Sequence, residues 1–247
     1  MDYYALPELA LRYDADTRGR ADRPFYLALV RELTPGSMAD LGSGTGLFCS
    51  QLAGLNLPGQ HSSGSVTGLK VTGVEPQQAM LDVARRQPNA ARVQWIHGMA
   101  ADLPGGAFNL VFMTGHVAQY FLDDAAWAEV LQQVVHSLAP GGRVVFEIRN
   151  AAVEEWRRWN DNTPRRIAGG SVRQTTTMSG DLATHVDEWT IAGRTYVTRE
   201  TLRFPDDAAI IRGLDAAGLK IERSWGNWDG SPATSNSPER IITARTG

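Results

Sequence analysis

The first 150 residues of the chain alternate between short apolar runs and stretches with helical periodicity. Apolar runs of four to eight residues predict strands, and apolar residues spaced three and four apart predict helices. The predicted strands are residues 37–41, 70–74, 93–96, 108–113 and 143–148, and the predicted helices are residues 22–33, 47–55, 77–86 and 123–138. Strands that alternate with helices in this way are typical of a parallel sheet covered on both faces.

The pattern changes after residue 149. Residues 171–204 are rich in Thr, Val, Arg and Trp and alternate partly with a period of two, and two glycine-containing turns divide them into about three segments. This pattern predicts an antiparallel meander. A further helix at residues 206–217 and two strands at residues 219–225 and 240–244 complete the predicted elements.

Composition excludes several classes of protein. The 24 basic and 27 acidic residues give a net charge of −3, which argues against a concentrated basic face for nucleic acid or an anionic membrane. The single cysteine, Cys49, excludes an intramolecular disulfide and a Cys-based structural zinc site, and no metal is predicted. Because the chain has no long apolar run and no signal-peptide pattern at its start, we expect a soluble, cytoplasmic protein.

The most informative segment is the glycine-rich turn after the first predicted strand, where residues 40–46 read Asp-Leu-Gly-Ser-Gly-Thr-Gly. Glycines permit a tight strand-to-helix turn and the close approach of a ligand to the main chain, although turn geometry alone would also explain them. A dinucleotide-binding motif would place its third glycine at position 47, which is Leu. This departure disfavours an NAD site.

Glu75 stands at the end of the next predicted strand. An acidic side chain at this place reaches the two ribose hydroxyls of a nucleoside bound at the carboxyl edge of the sheet. The alternative is an ordinary acidic residue at a helix start before Pro76. The interval from the glycine turn exceeds the spacing of the dinucleotide motif, and residues 56–69, rich in Gly and Ser, account for the excess as a predicted flexible surface loop.

Five segments, in order, resemble the motifs of class I S-adenosylmethionine-dependent methyltransferases. They are residues 39–46, residues 73–76 with 80–81, residues 97–104, residues 108–113 and residues 138–143. The resemblance implies an enzyme that takes a methyl group from S-adenosylmethionine and releases S-adenosylhomocysteine. It also implies an α/β fold with a Rossmann-like seven-stranded sheet, helices on both faces, and a small antiparallel β elaboration after strand five.

The resemblance further implies one domain over residues 1–247. Its parts are an N-terminal helical lid (1–36), a cofactor-binding half (37–150), an acceptor-side helix and β-meander (151–205), and a C-terminal helix and β-hairpin (206–247).

The resemblance places a cofactor site along the strand ends. Its implied residues are Tyr13, Asp40, Gly42, Ser43, Gly44, Gly46, Glu75, Pro76, Met80, Met99, Ala100 and Thr114. The glycine turn would lie against the methionine moiety and ribose, Asp40 would orient the methionine amine, and Glu75 would take the ribose hydroxyls. Pro76 and Met80 would flank the adenine, and the Thr114 carbonyl would face the amine.

Adenine recognition departs from the family pattern at Met99, where the family often has Asp. The remaining candidates are backbone groups of Met99 and Ala100, apolar packing, or the side chain of Asp102. Asp102 is equally well explained as a turn residue.

His116 follows the fourth predicted strand, where acceptor-side residues lie in the family. Its ordinary pKa suits a general base for a poorly nucleophilic acceptor, so we name it as the candidate catalytic residue. The alternative is a His that hydrogen-bonds near the cofactor without proton transfer. Tyr13 is a candidate lid contact, and Trp156, Trp159 and Trp189 either line an acceptor pocket or form core.

The function that this pattern favours is methyl transfer to an O, N or C atom of a small-molecule acceptor, without a nucleic acid or membrane partner. The alternatives are an RNA or protein methyltransferase, a catalytically silent S-adenosylmethionine-binding protein, and an NAD-dependent oxidoreductase. The acceptor and the oligomeric state stay open.

Overall fold

The computed structural model describes residues 2–16, 21–55, 61–62, 65–66, 68–159 and 161–246. The helices of these residues are α1 (Pro7–Ala10), α2 (Tyr13–Asp16), α3 (Asp22–Leu33), α4 (Leu47–Ala53), α5 (Gln78–Ala84), α6 (Asp124–Ser137) and α7 (Asp207–Ala216). None of the helices in these ranges has the length and apolar character needed to cross a membrane.

Thirteen strands are present in the described ranges. They are β1 (Ser37–Leu41), β2 (His61–Ser62), β3 (Ser65–Val66), β4 (Lys70–Glu75), β5 (Val93–His97), β6 (Phe108–Met113), β7 (Leu138–Arg149), β8 (Asp161–Ile167), β9 (Gly170–Ser179), β10 (Leu182–Ile191), β11 (Arg194–Arg203), β12 (Leu219–Trp225) and β13 (Glu239–Thr246). Apart from β2, β3 and residues 68–69, the predicted loop at residues 56–69 lies outside the described residues.

Seven strands form the main sheet in the order β12-β13-β7-β6-β1-β4-β5. Strands β1, β4, β5, β6 and β7 run parallel, whereas β13 is antiparallel to both β7 and β12. The predicted Rossmann-like methyltransferase sheet is confirmed. The chain crosses from one side of β1 to the other after β5, so the strand order reverses beside β1, where open α/β sheets bind their ligands.

Helices cover both faces of this sheet, because side chains of the parallel strands point alternately to the two faces. Met38 of β1 packs with Tyr26 of α3 and Leu52 of α4 in one buried cluster. The next residue, Ala39, belongs to a second cluster, which contains Trp127 of α6. Both faces of the strands are thus buried, which explains why they are continuous apolar runs in the sequence.

The antiparallel elaboration is a separate sheet of four strands, in the order β11-β10-β9-β8. The sequence predicts about three segments within residues 171–204, and the structure adds a fourth strand, β8, before them. Strand β8 lies at the sheet edge and pairs irregularly with β9. Proline and exposed arginine are tolerated at an edge, where one side of the strand donates no ladder hydrogen bonds, so residues 163–166 lack the alternation that marks central strands.

Strand β7 begins five residues before the predicted start at position 143. Its pairing with β6 shifts register, since Phe108 pairs with Leu138 and Leu110 pairs with Arg143. The turn predicted at residues 139–142 is therefore an irregularity within the strand, and Gly141 accommodates it with a φ of 74°.

Candidate active site

A cavity of about 650 Å³ opens at the carboxyl ends of β1, β4 and β6, beside the reversal of strand order. Eleven of the twelve predicted cofactor residues line it, namely Tyr13, Asp40, Gly42, Ser43, Gly44, Glu75, Pro76, Met80, Met99, Ala100 and Thr114. Its volume lies within the range of about 300–1,000 Å³ that is usual for small-molecule sites. The fold therefore gathers these residues, which are spread over a hundred positions of the sequence, around one space.

The glycine turn is fastened to the end of β4. The backbone N–H groups of Gly42 and Ser43 donate to the Val74 carbonyl oxygen at 2.8 and 2.9 Å. Gly42 and Gly44 have φ values of 75° and 55°. Only glycine adopts this left-handed region without strain. The turn thus presents bare backbone to the cavity.

Gly46 has a different environment from the other two glycines and does not line the cavity. A Cβ atom at this position would lie 2.4 Å from the Trp95 ring and 2.7 Å from the Ala84 Cβ atom. The close approach that needs glycine at position 46 is therefore the packing of α4 against α5 and β5. The expectation that Gly46 lies against the cofactor is corrected accordingly.

The Glu75 carboxylate is the best-defined polar group of the cavity. Its side chain is buried, Oε2 accepts the Gly44 N–H at 2.9 Å, and Oε1 accepts the Gln77 N–H at 2.9 Å. Burial raises the pKa of Glu75, and these two backbone donors oppose the rise. A carboxylate offers about four acceptor positions, so each oxygen keeps capacity for one further donor.

These features fit the nucleoside part of S-adenosylmethionine. Two spare acceptor positions on one buried carboxylate match the two adjacent hydroxyls of a ribose. Ser43 also lines the cavity, and its buried Oγ atom has no hydrogen-bond partner among the described residues. A buried polar atom without a partner is costly.

Asp40 and Thr114 form the part of the site where the methionine amine is expected. Thr114 Oγ1 donates to Asp40 Oδ1 at 3.3 Å, and the Cys49 thiol donates to Oδ2 at 3.6 Å. Burial, followed by the charge of Asp40, raises the pKa of Cys49 well above its usual value, which keeps the thiol protonated as a donor. The arrangement holds a carboxylate at the end of β1, where it can attract an ammonium group.

The turn at Ala100–Asp102 reduces the number of groups that could contact adenine. The backbone N–H of Met99 donates to Asp102 Oδ2 at 2.8 Å, so this N–H is occupied within the protein. Asp102 does not line the cavity and closes the turn. Apolar packing and the backbone of Ala100 remain as candidates for contact with adenine.

His116 does not line the cavity. Its N–H donates to Glu147 Oε1 at 2.7 Å, and its Nε2 lies 3.1 Å from both carboxylate oxygens of Glu239. Glu147 is fully buried and also accepts the Tyr26 hydroxyl. The geometry therefore favours a hydrogen-bonding role for His116, which joins β7 and β13 to the loop after β6, over that of general base.

Replacement of His116 by Ala is expected to lower the free energy of unfolding by about 1–3 kcal/mol, because the buried Glu239 carboxylate loses its partner. Affinity for S-adenosylmethionine should change less than about threefold, since the side chain faces away from the cavity. Denaturant unfolding and calorimetry measure the two effects. His136→Ala, on an exposed face of α6, is the control, and unchanged stability with a large loss of turnover would restore the general-base hypothesis.

Of the tryptophans considered for an acceptor pocket, Trp189 is a buried core residue, and Trp156 and Trp159 are partly buried. Trp156 and Trp159 pack against Phe204 at one end of the second sheet. Trp189 packs with Leu9 of α1 and lies 5.2 Å, between ring centroids, from Tyr3. None of these three indoles lines the cavity. They serve instead to join the second sheet to its neighbours.

The residues that the sequence does not reveal are Tyr4, Tyr120 and Glu200. Tyr4 and Tyr120 line the cavity beside Tyr13. Their hydroxyl oxygens lie 2.7 Å apart, Tyr4 donates to Glu200 Oε1 at 2.9 Å, and Tyr120 hydrogen-bonds the same oxygen. The three residues come from the N-terminal segment, the turn Val117–Tyr120 and β11, and no local sequence pattern indicates that these elements meet.

The charge of the cavity is strongly acidic. Six of the charged residues that line it are acidic and one is basic: Asp2, Asp14, Asp22, Asp40, Glu75 and Glu129 against Arg23. Clefts lined by one sign of charge concentrate ligands of the opposite sign. The cavity is therefore suited to cationic molecules and unsuited to phosphorylated ones.

Comparison with known proteins places this geometry in context. Residues 38–142 match the model of a family described as a methyltransferase domain. The biotin biosynthesis bifunctional protein BioHC of Cellvibrio japonicus is 32% identical over 116 residues, which make up 47% of this chain and 20% of that protein. The match thus spans one fifth of the length of this curated relative.

Solved structures resemble the whole chain. The CcbJ methyltransferase of Streptomyces caelestis superposes with a TM-score of 0.80 at 20% identity, over 100% of this chain and 98% of that one. CalS10, a SAM-bound amino pentose methyltransferase from Micromonospora echinaspora, gives a TM-score of 0.68 at 20% identity, over 95% and 96% of the two chains. Such likeness establishes the fold. The chain thus has the fold of these methyltransferases, and its residues 38–142 are similar to a methyltransferase domain.

Proposed function

We propose that the protein transfers the methyl group of S-adenosylmethionine to a small-molecule acceptor. The observation that carries the proposal is the hydrogen bond that joins the glycine turn to the buried Glu75 carboxylate, in a cavity beside the reversal of strand order in the sheet. When bound, the cofactor supplies an activated methyl group on a sulfonium, so the protein needs chiefly to orient the acceptor and exclude water.

Each part of the cavity has a task in this proposal. Glu75 accepts the ribose hydroxyls, the bare backbone of Gly42 and Gly44 lies against the methionine moiety, and Asp40 attracts its amine. The aromatic rings of Tyr4 and Tyr120 narrow the opposite end of the cavity, where the acceptor enters. These residues would hold the cofactor so that an acceptor fixed at the tyrosine end could approach its methyl group.

We extend the proposal to the division of the chain. Residues 1–36 form the lid, residues 37–150 hold the cofactor, residues 151–205 carry the acceptor side, and residues 206–247 complete the sheet. Tyr4 from the first segment and Glu200 from the third meet at the cavity, which supports this division of tasks.

Acidic lining favours a small acceptor over RNA, the alternative enzyme substrate. Nucleic acid binding depends on Lys and Arg contacts to phosphates, and Arg23 is the one basic residue of the described lining. CalS10, one of the proteins with a similar fold, is described as an amino pentose methyltransferase, which is consistent with a metabolite acceptor.

Calorimetric titration with S-adenosylmethionine and, separately, with NAD tests the cofactor assignment. We expect a dissociation constant in the micromolar range for the first and no detectable binding for the second. The loaded protein is then incubated with separate pools of metabolites, short RNA and peptides, and formation of S-adenosylhomocysteine is measured. Absence of S-adenosylmethionine binding, or turnover with RNA alone, would overturn the proposal.

A further inference from the structure

One end of the cavity is built from three tyrosines and a glutamate, which we term the tyrosine–Glu200 corner: Tyr4, Tyr13, Tyr120 and Glu200. The three rings line the cavity, and Glu200 stands behind Tyr4 and Tyr120 as their shared hydrogen-bond acceptor. Ring centroids of Tyr4 and Tyr120 are 6.2 Å apart, those of Tyr4 and Tyr13 are 6.0 Å apart, and both pairs meet edge to face. The rings therefore surround a corner and do not stack on one another.

The phenols of Tyr4 and Tyr120 stay protonated. Burial, followed by the nearby tyrosine and glutamate groups, raises the pKa of Tyr4 well above its usual value, and burial together with the Glu200 charge does the same for Tyr120. Both hydroxyl hydrogens are directed to the Glu200 carboxylate. What remains toward the cavity is a set of oxygen lone pairs and the electron-rich faces of aromatic rings, and both attract cations.

Among the described residues, Glu200 takes part in no ion pair with Lys or Arg. Its cross-strand partner on β10, His185, has a pKa lowered to about 4 by burial and by Arg149, so it is uncharged at neutral pH.

A second carboxylate lies on the same face of the sheet. Asp187 is two residues from His185 along β10, and one of its oxygens is buried without a hydrogen-bond partner among the described residues. Burial and the charge of Glu200 raise the pKa of Asp187 to about 6, although Arg165 and Gln174 oppose the rise. It therefore adds negative charge at neutral pH, and the corner retains an excess of that charge.

We propose that the tyrosine–Glu200 corner binds a protonated amine and that the methyl acceptor carries this group. The inference rests on the proposed function, because it names the acceptor class of the same cavity. An ammonium group would contact the rings of Tyr4, Tyr13 and Tyr120, donate to the Tyr4 and Tyr120 hydroxyl oxygens as hydrogen-bond acceptors, and lie near the Glu200 charge. A hydroxyl of the same shape would gain the hydrogen bonds and lose the attraction between charges.

The remaining lining agrees with this assignment. A phosphate or carboxylate group at the corner would lie near the Glu200 charge, and Asp2, Asp14 and Asp22 line the cavity elsewhere. Like charges in a site of restricted solvation repel each other strongly. Anionic acceptors are therefore disfavoured, and a neutral acceptor would leave the Glu200 charge without a counter-charge.

Binding of two matched probes tests the inference without knowledge of the natural acceptor. Cyclohexylamine is cationic at neutral pH, and cyclohexanol has the same ring with a neutral hydroxyl. Titration into protein saturated with S-adenosylhomocysteine, followed by NMR, is expected to give about tenfold tighter binding of the amine. The preference should weaken as salt is raised, because the attraction is electrostatic.

Substitutions test whether Glu200 and Tyr120 produce the preference for the amine probe. Glu200→Gln keeps the size of the side chain and is expected to abolish the preference for the amine, and Tyr120→Phe, which keeps the ring, should reduce it by about threefold. Glu188→Gln is the matched control: Glu188 lies on the neighbouring strand β10, is exposed, and pairs with Arg173. It should bind both probes as the unmodified protein does.

The outcomes separate this inference from the proposed function. The affinity for S-adenosylhomocysteine is measured first, for the unmodified protein and for each variant. If the unmodified protein does not bind S-adenosylhomocysteine, the proposed function itself is refuted. If that affinity is normal and both probes bind equally, or if Glu200→Gln retains the preference, the amine assignment alone is wrong. Since the comparison of the two probes needs no variant, a misfolded variant would not prevent the test.

Discussion

Glu75→Gln is expected to raise the dissociation constant for S-adenosylmethionine by about 100-fold. Both oxygens of the carboxylate accept a backbone N–H, from Gly44 and from Gln77. An amide at this place would turn its NH2 group toward one of these donors, so the substitution loses acceptors for the ribose and also disturbs the glycine turn. Calorimetry measures the affinity.

Glu129→Gln is the control for this prediction. Glu129 also lines the cavity, but its side chain is exposed on α6, where it accepts a hydrogen bond from Gln133. Removing its charge should change the affinity less than about threefold, since an exposed charge is well screened. Equal effects of the two substitutions would show that Glu75 acts through its charge alone and not through directed hydrogen bonds.

Because the pKa of Glu75 is raised, both cofactor affinity and folding stability should depend on pH, with opposite signs. The carboxylate gains its proton at a higher pH than an ordinary Glu, and the protonated form accepts ribose hydroxyls less well, so affinity should fall as pH is lowered through this pKa. The contribution of Glu75 to folding stability changes with pH in the opposite direction. A carboxyl with a raised folded-state pKa favours the folded state at low pH and loses that contribution as pH rises. Both slopes should be absent in Glu75→Gln.

Gly46→Ala is expected to lower the free energy of unfolding by about 2–5 kcal/mol, from backbone strain and overpacking together. The residue has a φ of 69°, and its added methyl group would meet the Trp95 ring at 2.4 Å and the Ala84 Cβ atom at 2.7 Å. The Trp95 ring cannot withdraw easily, because its Nε1 donates to the Ala90 carbonyl oxygen at 3.1 Å. Denaturant unfolding measures the loss.

Gly44→Ala is the informative comparison for Gly46→Ala. Gly44 is also left-handed, with a φ of 55°, but the nearest atom to an added Cβ is the Met80 Cε atom at 3.7 Å. Only backbone strain is expected, about 1–2 kcal/mol, while cofactor affinity should fall because Gly44 lines the cavity. Equal destabilisation by the two substitutions would contradict the packing role assigned to Gly46.

Much of the fold and the cofactor half of the site could be predicted from the sequence, because both depend on local patterns. The strands β1, β4 and β6 are apolar runs buried on both faces, β5 is partly exposed at the sheet edge, and the boundaries of all four agree with prediction to within one residue. The glycine turn and Glu75 lie at the ends of consecutive strands of this sheet, so their meeting follows from parallel topology.

The tertiary structure alone decided the roles of individual side chains. Position 46 requires glycine because of Trp95 and Ala84, which are distant in sequence, and His116 turns away from the cavity toward Glu147 and Glu239. Sequence periodicity reports which face of an element is buried, but not which partner covers it.

The acceptor end of the cavity also depends on tertiary structure and not on local sequence. Tyr4, Tyr120 and Glu200 meet only because the N-terminal segment and the second sheet both pack beside the turn after β6. Contacts between residues separated by 80 to 196 positions depend on the path of the whole chain. Local sequence therefore determined the sheet and the cofactor site, whereas the long-range packing of three elements determined what the cavity can recognise as an acceptor.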